Sequence, residues 1–367
     1  MQNNILFEVS WEICNKVGGI NTVIASKAPI LAKQFGENHI FIGPDILDEA
    51  ENSDFIEDNN LFPEWRNYAL SQGLNVRVGR WNINDKPIAI LIDFTSFFSQ
   101  KNDIFSNFWE RYKLDSLNGQ WDYIEPALFG YAAGKTIQSF YQFVFSESQS
   151  AVAHFHEWMT GAGVLYLKEN APYIATVFTT HATFMGRVLA GNNMPLYSKM
   201  HDYKPHIIAK QFNITSKFSL EKVAAEQADV FTTVSNNTAK ECAAFLNKSP
   251  EYITPNGFDD SLVPQGREYN IKRNSARKLL TKVSEAVLSY KLKNPFFVIN
   301  SGRYEFRNKG IDVFIDSLNK LNDQDKNSDR DIVALITVPA NHNGVNAEVL
   351  QRLNSGVKGE HPCFTTH

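Results

Sequence analysis

The chain has 367 residues, of which 43% are hydrophobic and 21% charged, a composition typical of a globular protein large enough for two domains. Its net charge is −4 and its Lys and Arg residues are scattered, which excludes an obvious footprint for nucleic acid or an anionic membrane. The three cysteines lie too far apart for a disulfide framework or a zinc site, so they favour a reducing compartment.

The first element is an apolar run, ILFEVSWEIC, which predicts a strand. It lacks the basic start and the long apolar core of a signal peptide. No later stretch reaches about 18 uncharged apolar residues, the length that a membrane-spanning helix requires. We therefore expect a cytoplasmic protein with no membrane partner.

The next segment, NKVGGINTV at 15–23, is typical of a turn from a strand into a helix. Its two glycines, Gly18 and Gly19, allow two interpretations. They supply the φ values of a tight turn, or they leave backbone N–H groups open to an anion at the helix N-terminus. The residues alone leave both interpretations open.

Further along, short β-branched or aromatic runs alternate with segments of helical period. The alternation predicts an α/β architecture in which helices cover both faces of a parallel sheet. Ligands of such sheets bind at the carboxyl ends of the strands, so the polar segments that follow the runs are candidate site segments. These segments are GPD (43–45), HFHEW (154–158), TTHATFMGR (179–187), TPNGFD (254–259) and SGRYEFRNKG (301–310).

The segment HFHEW has some features of a zinc motif. His154 and His156 are only two residues apart, however, and Thr160 stands where an HExxH helix has its second histidine. We therefore expect no metal at this segment.

A stretch rich in Pro, Gly and charge near 259–270 divides the chain. We expect one Rossmann-like domain over 1–258 and the start of a second over 259–367. The second has only about 75 residues from the start of its first strand, PFFVINSG, whereas a doubly wound domain usually has about 100 or more. We expect this second domain to be incomplete.

Taken in order, the motifs FEVSWEICNKVGGI, GPD, AHFHEWMTGAG, TTHAT, ADVFTTVS, TPNG, GRYEFRNKG and VPA resemble those of the eukaryotic-type glycogen synthases, glycosyltransferase family 3. The resemblance implies a GT-B fold, in which two Rossmann-like doubly wound domains face each other across a cleft. It also implies a glycosyltransferase that moves glucose, with retention, from a nucleoside diphosphate glucose to the non-reducing end of an α-1,4-glucan. UDP-glucose is favoured over ADP-glucose, and the acceptor is glycogen or a maltooligosaccharide.

The resemblance implies four catalytic residues. Arg303 and Lys309 match the cations that stabilise the leaving diphosphate, which gains negative charge as the sugar–phosphate bond breaks. His181 matches the histidine that hydrogen-bonds the reacting glucose and stabilises an oxocarbenium-like centre. Glu157 matches an acidic position close to the sugar or the acceptor. The nucleotide sugar is then a co-substrate, and the reaction needs no metal or other cofactor.

Five further residues are implied at the donor site. Lys16 matches a basic residue near the diphosphate, where Gly18 and Gly19 let backbone N–H groups approach the leaving group. Arg187 continues the pattern that begins at TTHAT. Asn256 of TPNG resembles a residue that lines the donor site, although Asn-Gly is also a common turn signal.

Two elements of the family pattern do not occur within the 367 residues. They are a Glu-x7-Glu element, which holds the donor sugar and ribose, and an arginine cluster that senses glucose 6-phosphate. We therefore expect the chain alone to be inactive, and a homo-oligomer stays open for a complete protein. The main alternative is a glucan-binding or nucleotide-sugar-binding module without catalysis. A dinucleotide oxidoreductase fits least, because the first turn reads KVGGIN rather than GxGxxG.

Overall fold

The computed structural model describes residues 4–47, 52–145, 149–257, 260, 263–324, 329–356 and 359–367. The chain forms two compact units, Met1–Asp259 and Asp260–His367. The predicted domain boundary, between 258 and 259, falls on residues outside the described ranges.

The first unit is built on one nine-stranded sheet with the spatial order β3-β4-β5-β2-β1-β6-β7-β8-β9. β3 and β4 run antiparallel to their neighbours, and every other adjacent pair is parallel. In chain order the strands are β1 (Asn4–Val9), β2 (His39–Pro44), β3 (Phe55–Glu57), β4 (Asn75–Trp81), β5 (Ile88–Asp93), β6 (Ser150–His156), β7 (Ala175–Thr180), β8 (Val230–Thr233) and β9 (Tyr252–Ile253).

Helices cover both faces of this sheet, as the burial of β2 illustrates. Ile40 and Ile42 belong to one apolar core, and Phe41 between them belongs to another. The predicted α/β architecture is therefore confirmed. The helices of this unit are α1 (Gly19–Phe35), α2 (Pro63–Ser71), α3 (Lys101–Tyr112), α4 (Trp121–Val144), α5 (Gly161–Asn170), α6 (Phe184–Gly191), α7 (Pro205–Gln211), α8 (Thr215–Gln227) and α9 (Asn236–Glu241).

The neighbouring strands β1 and β6 form the point at which the winding of the sheet reverses. After β1 the chain continues to β2 on one side, whereas after β6 it continues to β7 on the other. The connections that follow the two strands therefore leave in opposite directions. Open α/β sheets bind their ligands outside the carboxyl ends of the strands at such a switch point.

The packing of α5 against the sheet and α4 depends on a missing side chain at Gly163. A Cβ at this residue would lie 2.3 Å from Phe155 Cε1 and 2.7 Å from the Gly130 carbonyl oxygen. These distances are well inside normal contact, so only glycine lets α5 approach this closely.

We expect Gly163→Ala to lower the free energy of unfolding by about 1–3 kcal/mol, because the methyl group overpacks the core. Alanine is otherwise favoured over glycine inside a helix, so a loss would come from packing. Gly191→Ala, in α6, is the matched control because no atom lies within 4 Å of its Cβ position. Urea unfolding followed by tryptophan fluorescence measures both, since the six tryptophans all precede residue 160. Equal stability of the two variants would contradict this account.

The second unit contains, within the described residues, two parallel strands and three helices. The strands are β10 (Phe296–Ser301) and β11 (Ile332–Thr337), and the helices are α10 (Gly266–Leu288), α11 (Ile311–Gln324) and α12 (Ala347–Ser355). Arg352 of α12 is buried and donates to the Ala286 carbonyl at 3.0 Å, which ties α12 to α10. Across both units, no described helix is both long and apolar enough to cross a lipid bilayer.

Candidate active site

The backbone directly after β6 has an unusual conformation. Glu157 adopts φ 66° and ψ 163°, a region nearly confined to glycine that costs other residues about 1–3 kcal/mol. Two hydrogen bonds hold it there. The Glu157 N–H donates to the Thr179 carbonyl at 2.8 Å, and the Thr160 N–H donates to the Glu157 carbonyl at 3.0 Å. The side chain at this position makes contacts that a glycine could not supply.

The Glu157 carboxylate brings two other predicted site residues together. Its Oε1 accepts the His181 N–H at 3.1 Å, the Ala182 N–H at 3.3 Å and the Arg187 Nη2 hydrogen at 3.1 Å. Burial raises the pKa of Glu157, while the Arg187 charge and the two amides oppose that rise. Glu157, His181 and Arg187 therefore form one cluster beside β6.

A second buried carboxylate, which the sequence analysis missed, holds the same segment. Glu221 of α8 accepts the Phe184 N–H at 2.9 Å and the Thr180 hydroxyl at 3.1 Å. Burial raises the pKa of Glu221 to about 8, and the negative charge of Glu157 adds to the rise. The folded protein therefore keeps a proton on Glu221 at neutral pH.

This raised pKa makes the stability of the first unit depend on pH. Glu221 holds its proton more tightly when folded, so its contribution is complete below pH about 4.5 and is lost as pH rises to about 8. We expect the free energy of unfolding to fall by up to about 1.4 kcal/mol per pH unit in this window because of Glu221. Glu221→Gln should remove that part of the slope.

Urea unfolding at pH 5, 6, 7 and 8, followed by tryptophan fluorescence, checks the prediction. Glu226→Gln on the same helix is the control, because the Glu226 side chain is 39% exposed. An unchanged slope in Glu221→Gln, or an equal change in the control, would show that Glu221 does not titrate as described.

A third buried carboxylate acts at the start of α6. Glu241 of α9 accepts the Thr183 hydroxyl hydrogen at 2.6 Å, and Thr183 in turn caps α6 by accepting the Gly186 N–H at 3.0 Å. Residues 180–187 are thus held by carboxylates from three different parts of the chain. These contacts span 24–58 sequence positions, so no local sequence signal reveals them.

Glu8 in β1 was also missed, because a single charge within an apolar run is consistent with an ordinary core strand. Its carboxylate is fully buried and pairs with the Lys27 ammonium. His156 Nε2 lies 2.8 Å from Glu8 Oε1, and His39 Nε2 lies 3.0 Å from Oε2. His156 Nδ1 lies 3.0 Å from His181 Nε2. A buried polar network therefore connects β1 to the predicted site.

Part of this network has the residue types of a metal site. Glu8, His154 and His156 place ligand-type atoms within 4.8 Å of one another. The Lys27 ammonium already pairs with Glu8, however, and His154 Nε2 lies 2.7 Å from the Thr179 hydroxyl. These contacts suit a hydrogen-bonded ion pair better than a metal centre. A metal-free site stays a prediction.

The glycine turn before α1 holds an anion that belongs to the protein itself. Glu12 Oε2 accepts the N–H groups of Gly18 and Asn21, each at 2.9 Å. Neither Gly18 nor Gly19 has a positive φ, so the tight-turn interpretation does not apply to them. Instead, a Cβ at residue 18 would lie 2.9 Å from Glu12 Oε1. Gly18 therefore leaves room for the Glu12 carboxylate.

Gly19 and Lys16 are exposed in this turn, as is Val17. The Gly19 N–H makes no hydrogen bond within the part of the chain that the structure describes, and a Cβ there would meet no atom within 4 Å. Lys16 is exposed in the same loop. An anionic ligand therefore has access to the Gly19 amide and the Lys16 ammonium, whereas the Gly18 amide is already occupied.

Asn256 lies apart from this cluster. It is exposed in the loop after β9, which is the edge strand of the sheet. The Thr254 N–H of the same loop donates to the Thr233 carbonyl at 2.7 Å, which extends the pairing with β8. Among the described residues, no contact connects the Asn256 side chain to His181 or Arg187.

In the second unit, Arg303 and Lys309 lie in one turn after β10. Arg303 Nη2 pairs with Glu305 Oε1 at 3.1 Å, and the Lys309 N–H donates to the Glu305 carbonyl at 3.0 Å. The Lys309 side chain passes 3.4 Å from the Cβ position of Gly302. Both cations are exposed. The carboxyl end of β10 therefore presents two positive charges from one short segment.

The ordered motifs of the chain match a known family. The family model described as Glycogen synthase covers residues 8–357. The chain belongs to the glycogen synthase family. The resemblance identified from the motifs is thereby confirmed, and the match extends over both units of this glycogen synthase family member.

Curated relatives agree with this assignment. The chain is 31% identical over 362 residues to "Glycogen [starch] synthase" of Neurospora crassa, covering 96% of this chain and 51% of that protein. It is 32% identical over 369 residues to "Glycogen [starch] synthase isoform 2" of Saccharomyces cerevisiae, covering 96% and 52%. This glycogen synthase family member thus spans about half the length of the curated relatives that it matches.

A solved structure supports the fold. The chain is similar to an alpha,alpha-trehalose 6-phosphate synthase from Burkholderia multivorans, with a TM-score of 0.50 and 9% identity, over 97% of this chain and 68% of that one. At this low identity the similarity concerns the fold alone. The fold class is that of the GT-B glycosyltransferases, as predicted.

Proposed function

We propose that the protein transfers glucose from a nucleoside diphosphate glucose to the non-reducing end of an α-1,4-glucan, with retention of the anomeric configuration. The observation that carries this proposal is the glycogen synthase family match over residues 8–357. UDP-glucose is the favoured donor, and glycogen or a maltooligosaccharide is the acceptor. The three free cysteines of the chain favour the cytoplasm as the compartment.

The cluster beside β6 binds the glucosyl group in this proposal. His181 hydrogen-bonds the reacting sugar, and Arg187 supplies a positive charge next to it. Glu157 has one oxygen committed to three donors, which holds His181 and Arg187 in place. Its other oxygen, Oε2, has no hydrogen-bond partner in the described part of the chain, so it accepts a hydrogen bond from a sugar hydroxyl.

The diphosphate is stabilised by backbone amide and cationic groups. Lys16 and the Gly19 N–H at the start of α1 supply one positive charge and one amide donor. For Arg303 and Lys309, which match the family's diphosphate-binding cations, we propose that the guanidinium binds two phosphate oxygens and the ammonium acts as a compact charge. Developing charge on the leaving group is then neutralised by side chains, so we propose that no metal or other cofactor takes part.

A transfer assay tests the proposal. The complete gene product is incubated with glycogen and with either UDP-glucose or ADP-glucose labelled in the sugar. We expect polymer-bound label, more from UDP-glucose than from ADP-glucose, and the α-1,4 linkage in the NMR spectrum of the product. Absence of polymer-bound label with both donors would exclude the proposed function.

A second candidate function is that of a glucan-binding or nucleotide-sugar-binding module without turnover. Isothermal titration of the chain with maltooligosaccharide and with UDP should then give heat of binding, while the transfer assay gives no product. A flat trace for both ligands would exclude this candidate.

A further inference from the structure

Glu8 is ionised although it lies inside the sheet. Burial alone would raise its pKa, but the Lys27 charge and the hydrogen bonds from His156 and His39 bring the pKa well below its ordinary value. An ionised carboxylate accepts hydrogen bonds and donates none. His156 Nε2, at 2.8 Å from Glu8 Oε1, therefore carries a hydrogen and donates it.

The hydrogen on Nε2 determines whether the other ring nitrogen of His156, Nδ1, donates or accepts. Burial and the positive charge of Lys27 lower the pKa of His156 to about 4, so the ring is neutral at pH 7. A neutral imidazole has one N–H and one lone pair. Because the hydrogen is on Nε2, His156 Nδ1 has the lone pair and acts as an acceptor. Its partner at 3.0 Å, His181 Nε2, must then be the donor.

The same reasoning determines the protonation of His181 Nδ1. Burial and the charges of Lys27 and Arg187 lower the pKa of His181 to about 4, so this ring is also neutral. With its hydrogen on Nε2, His181 has a lone pair on Nδ1. Within the described residues, Nδ1 makes no hydrogen bond.

We propose that Glu8 and His156 are positioning residues that hold His181 in its Nε2-protonated tautomer, so that His181 Nδ1 accepts a hydrogen bond from a hydroxyl of the bound glucosyl group. The identity of the sugar rests on the proposed function, whereas the tautomer rests on the buried network alone. Lys27 belongs to the same network, because its charge keeps Glu8 ionised. The network makes His181 Nδ1 a hydrogen-bond acceptor toward the substrate and excludes a role of Nδ1 as a proton donor.

Nitrogen-15 NMR of the 367-residue chain tests the tautomer directly. The two ring nitrogens of a neutral histidine have well separated shifts, so a long-range correlation spectrum of histidine-labelled protein at pH 7 distinguishes N–H from lone pair. We expect both His156 and His181 to carry hydrogen on Nε2. The spectra of His156→Phe and His181→Gln assign the signals. A His181 ring with hydrogen on Nδ1 would overturn the inference.

Two matched variants test whether His156 sets the tautomer of His181. His156→Phe keeps an aromatic ring but removes the acceptor, so the two His181 nitrogen shifts should move toward a common intermediate value as both tautomers become populated. His39→Gln alters the other histidine at Glu8 and should leave the His181 shifts unchanged. Unchanged His181 shifts in His156→Phe, or an equal movement in His39→Gln, would overturn the positioning role.

The tautomer is measured without substrate, which separates this inference from the proposed function. Absence of glucose transfer removes the proposed function and, with it, the identity of the hydrogen-bonding hydroxyl. An Nδ1-protonated His181 overturns the inference even in an active enzyme.

Discussion

Replacing Arg303 with alanine in the complete gene product is expected to lower kcat for glucose transfer by about 100-fold to 1000-fold, the effect typical of losing one preorganised donor to developing charge. The charge of the diphosphate is largest as the sugar–phosphate bond breaks, so under the proposed function Arg303 acts mainly in the transition state. The affinity for glycogen should change by less than about twofold, because the glucan does not require this charge. Initial rates at saturating donor, together with glycogen co-sedimentation, measure the two quantities.

Arg307→Ala is the matched control for this prediction. Arg307 lies in the same turn after β10 and is exposed like Arg303. Its loss should leave kcat within about threefold, since the family resemblance assigns Arg307 no catalytic contact and an exposed charge without such a contact contributes little. An equal loss of turnover in the two variants would attribute the effect to general charge in this turn. Comparable losses of glycogen affinity and kcat in Arg303→Ala would mean that the role of Arg303 is misassigned.

Replacing Glu157 with alanine is expected to lower the free energy of unfolding of the first unit by about 2–4 kcal/mol. Two backbone amides, those of His181 and Ala182, would lose a buried acceptor, and each such loss costs about 1–3 kcal/mol. The strained backbone would persist, because alanine also avoids φ 66° with ψ 163°. Glucose transfer should fall by about 100-fold or more, since His181 and Arg187 would no longer be held.

Two other substitutions at the same residue separate the possible causes. Glu157→Gln keeps an oxygen at Oε1, so it should retain most of the stability. Glu157→Gly should be more stable than Glu157→Ala by about 1 kcal/mol or more, because glycine tolerates this backbone conformation. Urea unfolding followed by tryptophan fluorescence measures all three. Equal stability of the glycine and alanine variants would contradict the assignment of strain to Glu157.

Sequence patterns predicted the parts of the site that depend on neighbouring residues along the chain. TTHATFMGR follows an apolar strand, so the sequence alone places His181 and Arg187 at the carboxyl edge of a parallel sheet. The motif order then indicated the family. The same patterns could not place Glu221, because its contact with Thr180 spans 41 positions and depends on how α8 packs against the sheet.

Glu8 illustrates a second limit of prediction from the sequence. Its partner His156 is 148 positions away in the chain, and the pairing arises only because β1 and β6 are neighbours in the sheet. Gly18 illustrates a third. The glycine pair predicted backbone amides open to an anionic ligand, but the pattern did not reveal that Glu12, six positions earlier, already occupies the Gly18 amide.

The central claim is that the cluster beside β6 holds the glucosyl group during glucan synthesis, and one measurement tests it most directly. Labelled glucose incorporated into glycogen per unit time is compared for the complete gene product and its His181→Ala variant, after urea unfolding has established equal stability. We expect clear incorporation by the complete gene product and a rate that is lower by about 100-fold or more for His181→Ala. Equal rates for the two proteins would contradict it.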